Sequence, residues 1–101
     1  MENRRNGSRK KMEMPVTKQV GDDDRDSFAS DLSPSGVKIW RRDRDRHEQS
    51  LCNLELHLVP GSMSTVITAR RVWQDEHFEA FEFIAPSFAQ QALLERMLDN
   101  Y

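Results

Sequence analysis

The sequence predicts an α+β domain, a small four-stranded antiparallel meander packed by one C-terminal helix (β-β-β-β-α), preceded by a disordered, charged N-terminal tail. Three observations lead there. Residues 1–35 hold 8 apolar side chains against 29 in residues 36–101, and a segment that poor in apolar groups cannot bury enough surface to offset its conformational entropy. Four segments after Gly36 carry strand patterning, either period-two alternation or β-branched and aromatic enrichment. The C-terminal segment repeats its apolar residues at three- and four-residue spacing, as a helix does. The chain therefore divides into a tail and linker over residues 1–35 and a small α+β domain over residues 36–101.

The tail has three pieces. Arg4-Arg5-Asn6-Gly7-Ser8-Arg9-Lys10-Lys11 is a basic block, Asp22-Asp23-Asp24-Arg25-Asp26 is an acidic one, and Ser27 to Gly36 has the Ser, Pro and Gly content of a linker. Val37 to Arg42 then reads as the first strand. Leu51 to Val59 is the clearest element: Cys52, Leu54, Leu56 and Leu58 fall on one face, and Asn53, Glu55 and His57 on the other. Val59-Pro60-Gly61-Ser62 has the Pro and Gly positions of a type II turn, so a hairpin joins this strand to Thr65–Trp73. Gln74 to His77 makes the next turn. Phe78 to Ile84 fits both periods, and the nearby Pro86 and the aromatics favour a strand. Ser87 and Gln90 form a capping box that opens the helix, whose apolar face carries Ala89, Leu93, Leu94, Met97, Leu98 and Tyr101.

Composition narrows the function classes. A folded part of 66 residues is near the lower limit of self-sufficiency. Cys52 is the only cysteine, which excludes an internal disulfide and a multi-cysteine zinc site. His47, Cys52 and His57 do not make a metal site either, because strand parity aims Cys52 and His57 to opposite faces. The four glycines (Gly7, Gly21, Gly36, Gly61) have no phosphate-loop spacing, and no nucleophile motif or catalytic carboxylate pair is present. The expectation is a protein that is not an enzyme, with no catalytic residues, no metal, no cofactor and no small-molecule substrate. The N-terminus lacks an apolar signal core and the longest apolar runs are two to three residues. No membrane role is expected, and an intracellular location fits, cytoplasmic or, given the basic block, nuclear.

Two surfaces remain as candidates. Trp40, Val66, Val72 and Trp73 cannot all lie under one helix, and an apolar surplus on a sheet marks a protein contact. They are the expected partner-binding residues of a non-enzymatic protein-interaction module, an accessory or regulatory protein that docks on a partner or on itself as a homodimer. The alternative is a single-stranded nucleic-acid binding accessory protein (RNA or DNA). Arg41, Arg42, Arg44 and Arg46 would hold phosphates and an exposed Trp would stack on bases. Asp43 and Asp45 interleave with these arginines, and residues 36–101 carry 8 basic against 10 acidic groups. That balance opposes a non-specific nucleic-acid groove and suits a solvated, self-screened loop.

Overall fold

The computed structural model describes residues 10–41, 50–59 and 63–99. Six strands and one helix follow in order: β1 (Lys10–Val20), β2 (Asp23–Ser33), β3 (Gly36–Trp40), β4 (Leu51–Val59), β5 (Met63–Gln74), β6 (Phe78–Phe83) and α1 (Phe88–Asp99). The strands close into a barrel in the order β1-β2-β3-β6-β5-β4, and every neighbouring pair is antiparallel. Alternate residues of each strand point inward. Met14, Val16, Ile39, Leu54, Leu56, Ile67 and Phe81 fill the interior, and α1 adds Leu94, Met97 and Leu98 to the same core. The predicted capping box opens the helix: Ser87 N–H donates to Gln90 Oε1 at 3.0 Å, and Gln90 N–H donates to Ser87 Oγ at 3.1 Å. Among the described residues no helix is long and apolar enough to cross a membrane.

The expected four-stranded meander is corrected to this six-stranded barrel. The four later strands and the helix form where the sequence places them, and β4, β5 and β6 are consecutive neighbours. The pairing of β3 differs: it lies beside β6, and β4 lies beside β1. The added strands come from the supposed tail. Lys10–Val20 and Asp23–Ser33 are paired strands rather than disordered chain, and the expected boundary at 35/36 falls in the turn between β2 and β3. Their low apolar content has a physical reason. Small side chains, Ser27 and Ala29, take buried positions, and the buried Lys18 is neutralised by an acid from across the barrel. The β1–β2 turn uses Gly21 in the left-handed conformation, φ 59°, which glycine adopts without a Cβ penalty. The type II turn read at Val59–Ser62 falls on residues 60–62, outside the described residues, as does the chain over 1–9.

Candidate functional site

A cleft with polar side chains at its mouth lies where β2 turns into β3. It is open, about 180 Å³ in volume, and lined by Asp31, Ser33, Ser35 and Gly36, with Lys38 from β3, Glu82 from β6 and Val72 from β5. The sequence builds it through three local features. A bulge between Ala29 and Asp31 shifts the β2 register, so that Asp31 opposes Lys38, the kind of re-aiming that bulges provide. Asp31 is only 3% exposed, and its Oδ2 lies 3.3 Å from Lys38 Nζ. The turn itself is tied by Ser33, whose Oγ accepts from Ser35 N–H at 3.3 Å. Gly36 is required by packing: a Cβ there would be driven into the Phe81 carbonyl oxygen of the neighbouring strand. The absent side chain therefore lets β3 and β6 approach closely beside the cleft.

The register brings a basic segment to the same place. Lys10 pairs with Leu32 and Lys11 with Asp31, so the block that ends at Lys11 runs into β1 beside the cleft. The rest of that block lies outside the described residues.

The outer wall of β3 and β6 forms three rungs. Gly36 opposes Glu82, Lys38 opposes Ala80, and Trp40 opposes Phe78. The Trp40 and Phe78 ring centroids are 4.4 Å apart at an interplanar angle of 37°, and Lys38 Nζ sits 4.7 Å from the Phe78 ring centroid. Glu82 also takes a 2.6 Å contact from Arg70 Nη2. Beyond this wall, Asp75 caps the β5–β6 turn by accepting from His77 N–H at 2.8 Å and Phe78 N–H at 2.9 Å. Those two backbone bonds, with smaller help from the charges of His77 and Lys38, hold its carboxyl below the usual value against a weak opposing effect of burial.

The expected partner-binding residues divide. Trp40 and Trp73 are each about half exposed and flank β6 from either side, Trp73 pairing with Ala80, and Val72 stands at the adjoining β5 bulge where it also lines the cleft. Val66 lies elsewhere, opposite Glu55, with its carbonyl accepting from Gln90 Nε2 at 2.8 Å. Of the candidate phosphate-binding arginines, Arg41 donates through Nη1 to the Asp75 carbonyl at 2.6 Å; Arg42, Arg44 and Arg46 lie outside the described residues. Among the described residues no group of three His, Cys, Asp or Glu side chains could hold a metal. Cys52 is buried, and His57 Nε2 lies 3.0 Å from Thr17 Oγ1.

Sequence reasoning missed Asp31, Ser33, Ser35, Lys38 and Glu82 as one site, because it took Ser27–Gly36 for a linker. The signal that was available is Gly21-Asp22, a two-residue hairpin turn between segments carrying Met12, Met14, Val16 and Ala29, Leu32. Reading that hairpin turns Ser33–Gly36 from linker into a second tight turn with exposed polar groups.

Comparison with known proteins gives a consistent picture. Residues 3–100 match the sequence profile described as the PilZ domain. The chain superposes on the Bacillus subtilis inhibitor of motility (MotI/DgrA) with a TM-score of 0.70 and 19% identity over 98% of its length, and spans 52% of that protein, about half. It superposes on the PilZ domain of YcgR from Escherichia coli, a structure with c-di-GMP, at a TM-score of 0.78 and 13% identity, covering 97% of this chain and 91% of that one. The PilZ domain of CeSA from a cellulose-synthesizing bacterium gives 0.70 and 15%, over 92% and 96% of the two chains. At these identities the structures speak for the fold alone. No curated protein matches the sequence.

Proposed function

The chain belongs to the PilZ domain family, and from that membership we propose that it is a non-enzymatic regulatory domain whose ligand is cyclic di-GMP (c-di-GMP), bound at the β2–β3 turn. The coarse expectation of a regulatory interaction module stands. The expectation that no small molecule is bound as substrate or cofactor gives way to a small-molecule ligand in this proposal, and neither the nucleic-acid alternative nor a homodimer finds support among the related proteins. The observation that carries the proposal is the coincidence of the polar cleft with the end of the basic block, fixed by the pairing of Lys10 with Leu32.

The chemistry suits such a ligand. Its two phosphodiesters are anionic, and the guanidinium forks of Arg4, Arg5 and Arg9, which directly precede β1 in sequence, match phosphate oxygens in bidentate fashion. A guanine base presents N1–H and N2–H₂ side by side, donors that a carboxylate such as Asp31 or Glu82 accepts. The hydroxyls of Ser33 and Ser35 serve either role. Trp40, Val72 and Trp73 form the face that answers to a protein partner, whereas Val66 would be reached only by a partner extending to the start of α1.

Titration calorimetry on the full chain tests the ligand. Binding of c-di-GMP is expected, with c-di-AMP bound much more weakly. Replacing Arg4, Arg5 and Arg9 together by alanine removes several charge-assisted bonds at ~1.5–3 kcal/mol each, and so costs at least about a hundredfold in affinity. Absence of heat with c-di-GMP, or unchanged affinity in the triple variant, would refute the assignment.

A further inference from the structure

The middle rung of the β3–β6 wall joins the cleft to the exposed aromatic face. Lys38 lines the cleft, pairs with Asp31 at 3.3 Å, and places the same ammonium 4.7 Å from the centroid of Phe78. The Phe78 ring in turn rests on Trp40. Lys38 is 27% exposed, whereas Asp31 is nearly sealed. Across from it on β6 stands Ala80, the smallest side chain on that wall after Gly36. A long flexible stem facing an alanine has room to lean toward either neighbouring rung. One direction leads to Glu82 and the cleft, and the other to the aromatic pair.

We propose that Lys38 is a relay: an anionic ligand in the cleft draws its ammonium away from the Phe78 ring, and the Phe78–Trp40 pair registers that loss. This rests on the c-di-GMP reading above and adds to it a route from the occupied cleft to the protein-docking face. The physical basis is competition for one compact charge. The ammonium is held by a nearly buried carboxylate and a π-face, and of the two the π contact is the weaker, so it is the one given up. A phosphodiester brings a full negative charge into reach of the same three donors. Once Lys38 turns to the ligand, the quadrupole of Phe78 loses its cation and the ring is released to shift against Trp40. Trp40 is about half exposed, so the change is presented on the surface where a partner would dock.

The test uses the full chain with Trp73→Phe, which leaves Trp40 as the only tryptophan. Calorimetry and Trp40 fluorescence are recorded on the same c-di-GMP titration. A saturable change in Trp40 emission with the calorimetric midpoint is expected. Lys38→Met keeps the stem and removes the charge; it should bind more weakly, and at saturation its Trp40 emission should stay where it began. Ala80→Val leaves Lys38 intact but fills the space in which it turns, so it should bind c-di-GMP and lose most of the emission change. It supplies the answer where Lys38→Met fails to fold. Full emission amplitude in either saturated variant would overturn the relay while leaving the ligand in place, and so would heat without any Trp40 response in the Trp73→Phe chain. No heat in any chain would remove the ligand and the relay with it.

Discussion

Replacing Glu79 by glutamine should destabilise this barrel more than any exposed substitution would. Glu79 points into the interior from β6 and is 1% exposed; its Oε2 accepts from Lys18 Nζ at 2.8 Å, with Lys18 2% exposed on β1. These strands stand on opposite sides of the ring, so the pair braces the barrel through its middle. Arg71 Nη1 lies 3.5 Å from the other oxygen, 13% exposed. Glu79→Gln keeps the shape and removes the only charge of its sign among these three groups. Lys18 then loses this carboxylate in a region of low dielectric. Breaking a buried pair by removing one partner costs about 3–5 kcal/mol, a large part of the roughly 5–15 kcal/mol that stabilises a domain of this length. At about 4–8 °C per kcal/mol, the midpoint should fall by at least about 12 °C.

The assay is thermal unfolding for the midpoint and urea unfolding for the free energy, both followed by circular dichroism, on the wild type, E79Q and the double variant K18M/E79L. The double variant removes both buried charges and leaves Arg71 its partial access to water, so it should recover most of the loss. Its behaviour separates the lost charge balance from a damaged core. The reasoning fails if E79Q stays within about 1 kcal/mol of wild type, the value of an exposed pair. It fails equally if K18M/E79L is no better than E79Q.

Three further outcomes follow from local geometry. Gly36→Ala drives a Cβ toward the Phe81 carbonyl, so β3 and β6 must part; overpacking of this kind costs about 1–3 kcal/mol, read as a lower urea midpoint, and it should weaken c-di-GMP binding by distorting the cleft. Ser87→Ala removes the acceptor for Gln90 N–H and should cost about 1 kcal/mol in the same measurement, with Ser87→Thr nearly neutral. Asp75 has its carboxyl pKa depressed by the His77 and Phe78 amides. It therefore contributes its turn-capping fully above the ordinary aspartate range and loses it only as pH falls through the lower folded value. A carboxyl NMR titration should place its midpoint below that of an unperturbed aspartate, about 3.9, and a midpoint at or above that would contradict the hydrogen-bonded turn.

What could be read from this sequence, and what could not, follows from where apolar residues are needed. Strands β3 to β6 and helix α1 announce themselves because each packs large groups inward: Ile39, the Leu54–Leu56 alternation, Ile67, Phe81, and Leu94 with Leu98. β1 and β2 build their inner faces partly from groups that a count of apolar residues scores as tail. Lys18 is buried by pairing with an acid 61 positions away, Ser27 donates to the Trp40 carbonyl at 2.6 Å, and on the cleft side Asp31 is buried against Lys38. Each of these is polar in composition and buried in space because it pairs with another strand, Lys18 across the barrel and Ser27 and Asp31 across the β2–β3 hairpin. The same non-locality hid the cleft. Asp31 and Ser33 lie in one hairpin arm, Lys38 in the other, and Glu82 comes from a strand that closes beside them only when the barrel does. The exposed aromatics were visible from the start, since Trp40 and Trp73 exceed what one helix can cover. The barrel gathers them around β6 and sets Lys38 between them and the cleft, so the residues found by surplus and the residues missed as linker belong to one wall.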